Sequence, residues 1–377
     1  MDFDLSWILL GLPVAFVMGW LASRLDLRQL RIENRQAPKA YFKGLNYLLN
    51  EQQDQAIDAF IEAVQNDPDT SELHFALGNL FRRRGEYERA VRVHEHLLSR
   101  GDLSRADRDR AQHALALDYL KAGLLDRAED ALRKLEGTAF EGQARLALLA
   151  IYERSRDWAQ ASLIARKLDA SGQGSFSTRV AHYLCEQAAQ ASDADAEPLL
   201  RQALKTAPDS PRPRIELAAL QSRAGAPQQA LATLMALAQT VPSAIPLMAR
   251  RLADAARACG QQAEAAQVLQ TSYELHPSLD VLESIVALEG DPLVAREWYV
   301  RHLEREPSLV AASKWLAGEK LEHEQFHPFV QKALEHAVKP LTRYRCAACG
   351  FEAKQHFWQC PGCQAWDSYP ARRVEEL

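Results

Sequence analysis

The stretch from Ala37 to Pro68, APKAYFKGLNYLLNEQQDQAIDAFIEAVQNDP, decides how the rest of the chain is read. Its apolar and small residues recur at helical spacing on either side of a polar break. Read as two antiparallel helices, it places Gly44 and Tyr47 on the first and Ala56, Phe60 and Ala63 on the second. Pro68 closes the unit. Small residues at Gly44 and Ala56 let the two backbones approach closely. Tyr47 and Phe60 fill the space between one pair and the next.

The pattern returns along the chain. At a shift of 34 residues it gives Leu77, Gly78, Phe81, Gly85, Tyr87, Ala90 and Leu97. A third unit centres on Ala116, Tyr119, Gly123, Ala128, Leu132 and Leu135, and a fourth on Leu149, Tyr152, Trp158, Ala161 and Leu168. Leu184, Ala196, Leu200, Ala203 and Pro208 mark a fifth, and Ala218, Gly225, Ala230, Leu234, Leu237 and Pro242 a sixth. Ala253, Gly260, Ala265, Leu269 and Pro277 mark a seventh, while Ala295, Tyr299 and Pro307 belong to a shorter eighth. This recurrence resembles the tetratricopeptide repeat, whose period is about 34 residues. The resemblance implies an all-α superhelical solenoid over residues 37–307, in which neighbouring helix pairs supply one another's core. Residues 308–340 read as terminal helices capping the array. Composition agrees: 47% of residues are hydrophobic and 25% charged, with Ala, Leu, Arg and Glu outweighing the β-branched residues.

The concave face of such an array is the usual seat of a protein partner. The groove positions here include Asn79, Arg82, Arg83, Arg110, Lys121, Arg223, Arg250 and Arg257. A basic groove suits an acidic or carboxylate-ended peptide; the alternative is an ordinary solvated helix face. The Lys and Asn set of chaperone-tail binders is not repeated, which disfavours a co-chaperone role.

Residues 1–23 read as a transmembrane anchor, because Leu5 to Ser23 is a run of 19 uncharged residues. At 1.5 Å per residue it reaches about 28 Å, enough to cross a hydrocarbon core. Trp7 and Trp20 lie near its ends, as interfacial aromatics do. A cleaved signal peptide would begin with positive charge, whereas this chain begins with Asp2 and Asp4. Arg24, Arg28, Arg31 and Arg35 follow the run, making 24–36 a basic juxtamembrane linker. The positive-inside rule then puts the amino terminus outside and the body in the cytoplasm.

At the far end, residues 341–377 carry four of the six cysteines. Cys346, Cys349, Cys360 and Cys363 form two Cys-x-x-Cys knuckles. Each knuckle turns two sulfurs towards one ion, and two knuckles complete a tetrahedral shell of four thiolates. Such a shell is closed to catalytic water, so the site is structural. Gly350 suits the turn after the first knuckle, and Pro361 and Gly362 shape the second. With Tyr344, Phe351, Trp358 and Trp366, the segment resembles rubredoxin-type ribbons. Zinc is favoured, since an electron carrier has little need of a repeat array or an anchor. Iron also accepts four thiolates, which leaves a tethered electron carrier as the alternative. Trp358, Trp366 and Phe351 are expected to pack the ribbon onto the repeats.

Other chemistry is weaker. His323-Glu324-Gln325-Phe326-His327 fits the H-E-x-x-H zinc pattern, but Pro328 biases His327 out of the continuous helix that the motif needs. No phosphate-binding loop, dinucleotide fingerprint or G-x-S-x-G is present. Cys185 and Cys259 sit singly among small and apolar residues as core side chains. The net charge of −5, and the mixed charges around the knuckles, argue against nucleic acid.

An amino-terminal span, tetratricopeptide units and a carboxy-terminal ribbon form a specific combination. Together with YFKGLNYLLNEQ and YRCAACGF…WQCPGC, it resembles the lipopolysaccharide assembly protein B family of Gram-negative inner membranes. The resemblance implies a non-enzymatic adaptor. It implies that a membrane-bound AAA+ metalloprotease is directed at the deacetylase that commits precursors to lipid A, under modulation by a second inner-membrane protein of the pathway.

Overall fold

The computed structural model describes residues 16–20, 41–67, 69–319 and 324–377. Most of Leu5–Ser23, the linker 24–36, Pro68 and His323 lie outside them. Residues 16–20 are helical. Among the described residues no helix is long and apolar enough to cross a membrane.

The protein is all-α apart from its ribbon, and divides into two compact units, 1–154 and 155–377. The first holds α1 (41–49), α2 (Gln53–Asn66), α3 (Ser71–Arg84), α4 (Tyr87–Ser99), α5 (Arg105–Ala122), α6 (Leu125–Arg133) and nearly all of α7 (Glu141–Ser155). From α2 to α6 each helix packs on the next, and α3 also meets α5. Gly85 and Gly123 end α3 and α5 in the left-handed conformation, at φ +85° and +76°, which a glycine adopts without steric penalty.

Small residues do a more particular job here than simply letting backbones approach. A Cβ on Gly44 would come within 2.8 Å of the Phe60 ring, and one on Gly78 within 2.5 Å of the His94 ring. Phe60 and His94 occupy the same place in successive repeats, 34 residues apart, so the second repeat puts an imidazole where the first puts a benzene ring. A buried imidazole needs partners. His94 Nδ1 donates to Asp118 Oδ2 at 2.5 Å, and Arg82 Nη1 donates to Asp118 Oδ1 at 2.8 Å. His94 and Asp118 are both 0% exposed.

The second unit starts with α8 (Trp158–Ala170). Four helix pairs follow: α9 (Ser177–Gln190) with α10 (Asp193–Thr206), α11 (Pro211–Arg223) with α12 (Pro227–Thr240), α13 (Ile245–Cys259) with α14 (Gln262–Leu275), and α15 (Leu279–Leu288) with α16 (Pro292–Arg305). α17 (Leu309–Ala317) and α18 (His327–Val338) come next, then the ribbon with β1 (Tyr344–Arg345) antiparallel to β2 (Glu352–Ala353). One core cluster runs from Ile215 to Ala311 and includes Met248, Leu252, Leu269, Tyr273 and Leu282. Val338, Leu341 and Trp358 pack against it, so the segment leading into the ribbon and the ribbon itself share the apolar interior of the repeats.

Candidate metal centre and its docking surface

Each knuckle is closed by the same backbone device. The Gly350 amide donates to Cys346 O at 2.9 Å, and the Gln364 amide donates to Cys360 O at 2.8 Å. The residue after the second cysteine of each knuckle is left-handed: Gly350 at φ +76° and Gln364 at φ +62°. Gly362, expected to shape the second turn, has another role. A Cβ there would lie 3.3 Å from the Phe351 ring, so this glycine makes room for an aromatic side chain.

The four sulfurs lie within 4.8 Å of one another, with Cys346 and Cys363 3.8 Å apart and Cys349 and Cys360 3.6 Å apart. A tetrahedral ion with metal–sulfur bonds of about 2.3 Å requires edges of about 3.8 Å. Two of the edges are already at that length, so the donor set fits one S₄ ion with the longer separations drawing in by at most about 1 Å. Burial pushes the Cys346 thiol up, but Ser368 and the amides of Cys349 and Ala348 outweigh it and bring the thiol down to about 6. Around the sulfurs, Tyr369 OH donates to Phe351 O at 3.1 Å, and the Ala347 amide to Ser368 O at 2.7 Å. These bonds tie the first knuckle to the closing loop.

The ribbon docks on the repeats of its own unit. Trp366 stacks on His182 with ring centres 4.8 Å apart, and meets Trp158 and Tyr183 edge-on at 6.0 and 5.8 Å. The neighbouring Asp367 accepts from His182 Nε2 at 2.9 Å. Behind His182, buried Arg212 pairs with Glu186 at 2.7 Å and Glu216 at 2.6 Å. Trp358 packs near His182 and against His356, whose Nε2 donates to Tyr369 O at 3.1 Å. Burial is the main cause holding the His356 imidazole below its usual range, so the docked ribbon favours it neutral. Phe351, expected at this surface, is 44% exposed and lies over Gly362 instead.

A second set of contacts fastens the carboxy-terminal residues. Arg373 reaches Asp280 at 2.6 Å and Glu283 at 2.8 Å, both on α15, and Tyr344 OH donates to Asp280 at 2.8 Å. Glu376 accepts from the Leu279 amide at 2.6 Å, and Glu375 from the Leu309 amide at 2.6 Å. Two adjacent glutamates thus supply acceptors to the first turns of α15 and α17, where helix amides lack internal partners and negative charge is favoured.

The groove residues meet different fates. In the first unit Arg82 is half-buried and bonded to Asp118, Asn79 and Ala114 O, so it and Asn79 belong to the internal network. Arg110 pairs with Glu72 at 2.9 Å and lies over the Phe75 ring, while Arg83 and Lys121 are exposed. In the second unit Arg223 pairs with Asp193 at 3.1 Å. Arg250 and Arg257 line a cleft of about 630 Å³ together with Arg251, Asp254, Asp280 and Glu283, and Tyr344 and Arg373 of the ribbon form its far wall. The pairing of ribbon with groove was hidden from sequence because its partners lie far apart along the chain.

In the H-E-x-x-H stretch, residues 324–326 form a 3₁₀ turn and His327 opens α18, donating from Nε2 to Leu316 O at 3.1 Å. The expectation that Pro328 keeps His327 out of a helix is corrected: Pro328 sits in the first turn of α18, where its missing amide costs nothing. The break falls one step earlier, in the 3₁₀ turn. Cys185 is fully buried, and burial pushes its thiol far up, as suits a core side chain.

Residues 344–369 match the family described as "Rubredoxin metal binding domain", and residues 187–250 match "Tetratricopeptide repeat". The chain is similar to lipopolysaccharide assembly protein B of Escherichia coli (strain K12), at 31% identity over 99% of this chain and 100% of that one. It is also similar to lipopolysaccharide assembly protein B of Haemophilus influenzae, at 26% identity over 96% of each. Among solved structures, Naa15/Naa10 bound to HypK-THB aligns at 15% identity with a TM-score of 0.48, covering 81% of this chain and 48% of that one.

Proposed function

The chain belongs to the lipopolysaccharide assembly protein B family, and from that premise we propose that it is a non-enzymatic adaptor regulating lipopolysaccharide synthesis. In this reading it is held in the bacterial inner membrane by Leu5–Ser23, with its body facing the cytoplasm. There it brings the deacetylase that commits precursors to lipid A to a membrane-bound AAA+ metalloprotease, and a second inner-membrane protein of the pathway modulates the encounter. The observation that carries the reading is the full-length correspondence with the curated relatives, which embraces anchor region, repeats and ribbon alike.

Physical features support it. Paired helices present long exposed faces suited to protein partners. Four protein thiolates fill a tetrahedral shell, which leaves no position for a reacting water, so the ion holds structure. An anchor would confine both the adaptor and its membrane-bound partners to one surface and raise their effective concentration. The expected ion is zinc: purified protein should be colourless and carry one zinc per chain. A red preparation with visible thiolate-to-iron absorption would favour the electron-carrier reading instead.

Crosslinking in native membranes, followed by identification of the captured proteins, tests the adaptor reading directly. The protease and the deacetylase should both be recovered, and deleting the chain should lengthen the deacetylase half-life. Recovery of neither, with an unchanged half-life, would overturn it.

A further inference from the structure

The cleft between α13, α15 and the ribbon has a charge pattern that the repeats alone would not give. Asp280 and Glu283 line it, but both pair with Arg373, whose positive charge offsets one of the two, and Asp280 also accepts from Tyr344. Over the whole lining, Arg250, Arg251, Arg257 and Arg373 stand against Asp254, Asp280 and Glu283, so the balance is positive by one charge, and the arginines of α13 are the ones outside the Arg373 pairs. Arg251 donates to Ile215 O, and Arg257 to Ala287 O and Asp254. Each guanidinium carries five N–H donors, so these bonds leave donors on both side chains, which line the cleft. Arg250 makes no side-chain hydrogen bond or ion pair among the described residues, and it is exposed. Arg373 of the ribbon thus shifts a balanced lining to a net positive one and draws the acidic side chains of α15 away from the arginines of α13.

The geometry points to this cleft as the seat of an acidic, extended segment of a protein partner, with carboxylates three residues apart. Seven residues separate Arg250 from Arg257, which places them on one face of α13 about 10.5 Å apart along its axis. A polyproline-II segment repeats its face every three residues, at about 9.3 Å. Two carboxylates at that spacing meet the two guanidinium groups, each able to accept a forked pair of hydrogen bonds. Asp254 lies between the two arginines and repels a third carboxylate, so the residues between the anchors are neutral. The volume of about 630 Å³ falls within the range of built ligand sites. The assignment rests on the adaptor reading, because it takes the occupant to be part of a protein.

The test uses the full chain in detergent and fluorescein-labelled peptides, read by fluorescence anisotropy. A peptide containing Glu-Pro-Gln-Glu should bind, and its Gln-Pro-Gln-Gln counterpart should not. A peptide containing Glu-Asp-Asp-Glu should bind more weakly than Glu-Pro-Gln-Glu despite its greater charge, the reverse of what a merely cationic surface gives. The double variant R250E/R257E should weaken the first peptide by about tenfold or more while lowering the melting temperature only slightly, since the bonds of Arg257 to Ala287 O and Asp254 are exposed ones. Arg373→Ala should also weaken it by uncovering two carboxylates, and adding D280N and E283Q should restore it. No binding by the native chain, or equal binding by R250E/R257E, would overturn the assignment. So would loss in that variant of binding to phosphatidylglycerol vesicles alone, with the peptide unaffected. If the cleft assignment fails while crosslinks to the protease and deacetylase persist in R250E/R257E, the adaptor reading stands without it.

Discussion

Replacing Cys346 and Cys349 together by serine will unfold the ribbon and release it from the repeats. The segment 344–369 has only two strands of two residues each, and its buried apolar residues amount to Tyr369 and the ligands Cys346 and Cys360. So little core cannot offset the conformational entropy of ordering the chain. Metal binding supplies the difference, on the order of 10 kcal/mol for small four-ligand sites. Removing two of four ligands forfeits most of it. The effect reaches well beyond the site, because Trp366 would leave its place against His182, Tyr183 and Trp158, and Asp280 and Glu283 would lose Arg373. The expected results are a red-shifted tryptophan emission, new proteolytic cleavage beyond residue 340, and loss of partner crosslinks. Chelation of the native protein should reproduce the first two, and zinc should reverse them. A chelated protein that keeps its near-ultraviolet circular dichroism and its protease resistance would show that docking holds the ribbon without the ion.

The repeats and the knuckles were open to reading because both are written in local spacing. A helix pair recurring every 34 residues and two Cys-x-x-Cys turns each declare a geometry within a few residues of themselves. What joins them does not. His182 and Asp367 lie 185 positions apart, and Asp280 and Arg373 lie 93 apart, with nothing in either neighbourhood to name the other. Trp358 and Trp366 could be foreseen at the docking surface because large aromatics in so small a ribbon must bury somewhere. Phe351 carried the same signal and took a local solution over Gly362. In the sequence Glu375 and Glu376 count only towards the mixed charge around the knuckles, and only the fold shows two helix starts lying beneath them. In the first unit, one faint signal was present. His94 stands where the preceding repeat has Phe60, and a titratable ring in an aromatic core position demands a buried partner.

That partner is the basis of the second large effect: Asp118→Ala will destabilise the first unit by about 3–5 kcal/mol, the usual cost of removing one member of a buried charged pair. Asp118 is 0% exposed and receives both Arg82 and His94, so its loss strands two donors at once. His94 cannot turn outward, because its ring is pressed against Gly78. Arg82 retains a fraction of its solvent contact and keeps the Ala114 carbonyl, so the larger share of the penalty falls on the imidazole. A double variant, His94→Phe with Asp118→Leu, separates charge from shape: it restores the aromatic of the first repeat and removes the buried carboxylate together with the imidazole, leaving Arg82 its bonds to Asn79 and the Ala114 carbonyl. Well-packed apolar replacements of buried pairs are often neutral or stabilising, so this variant should recover most of the loss. Hydrogen exchange across residues 71–122 will localise the effect, with protection in α3, α4 and α5 falling in Asp118→Ala and returning in the double variant. A change below about 1 kcal/mol in the single variant would mean that water or a shifted Arg82 satisfies His94, and that the network is not a keystone of these repeats.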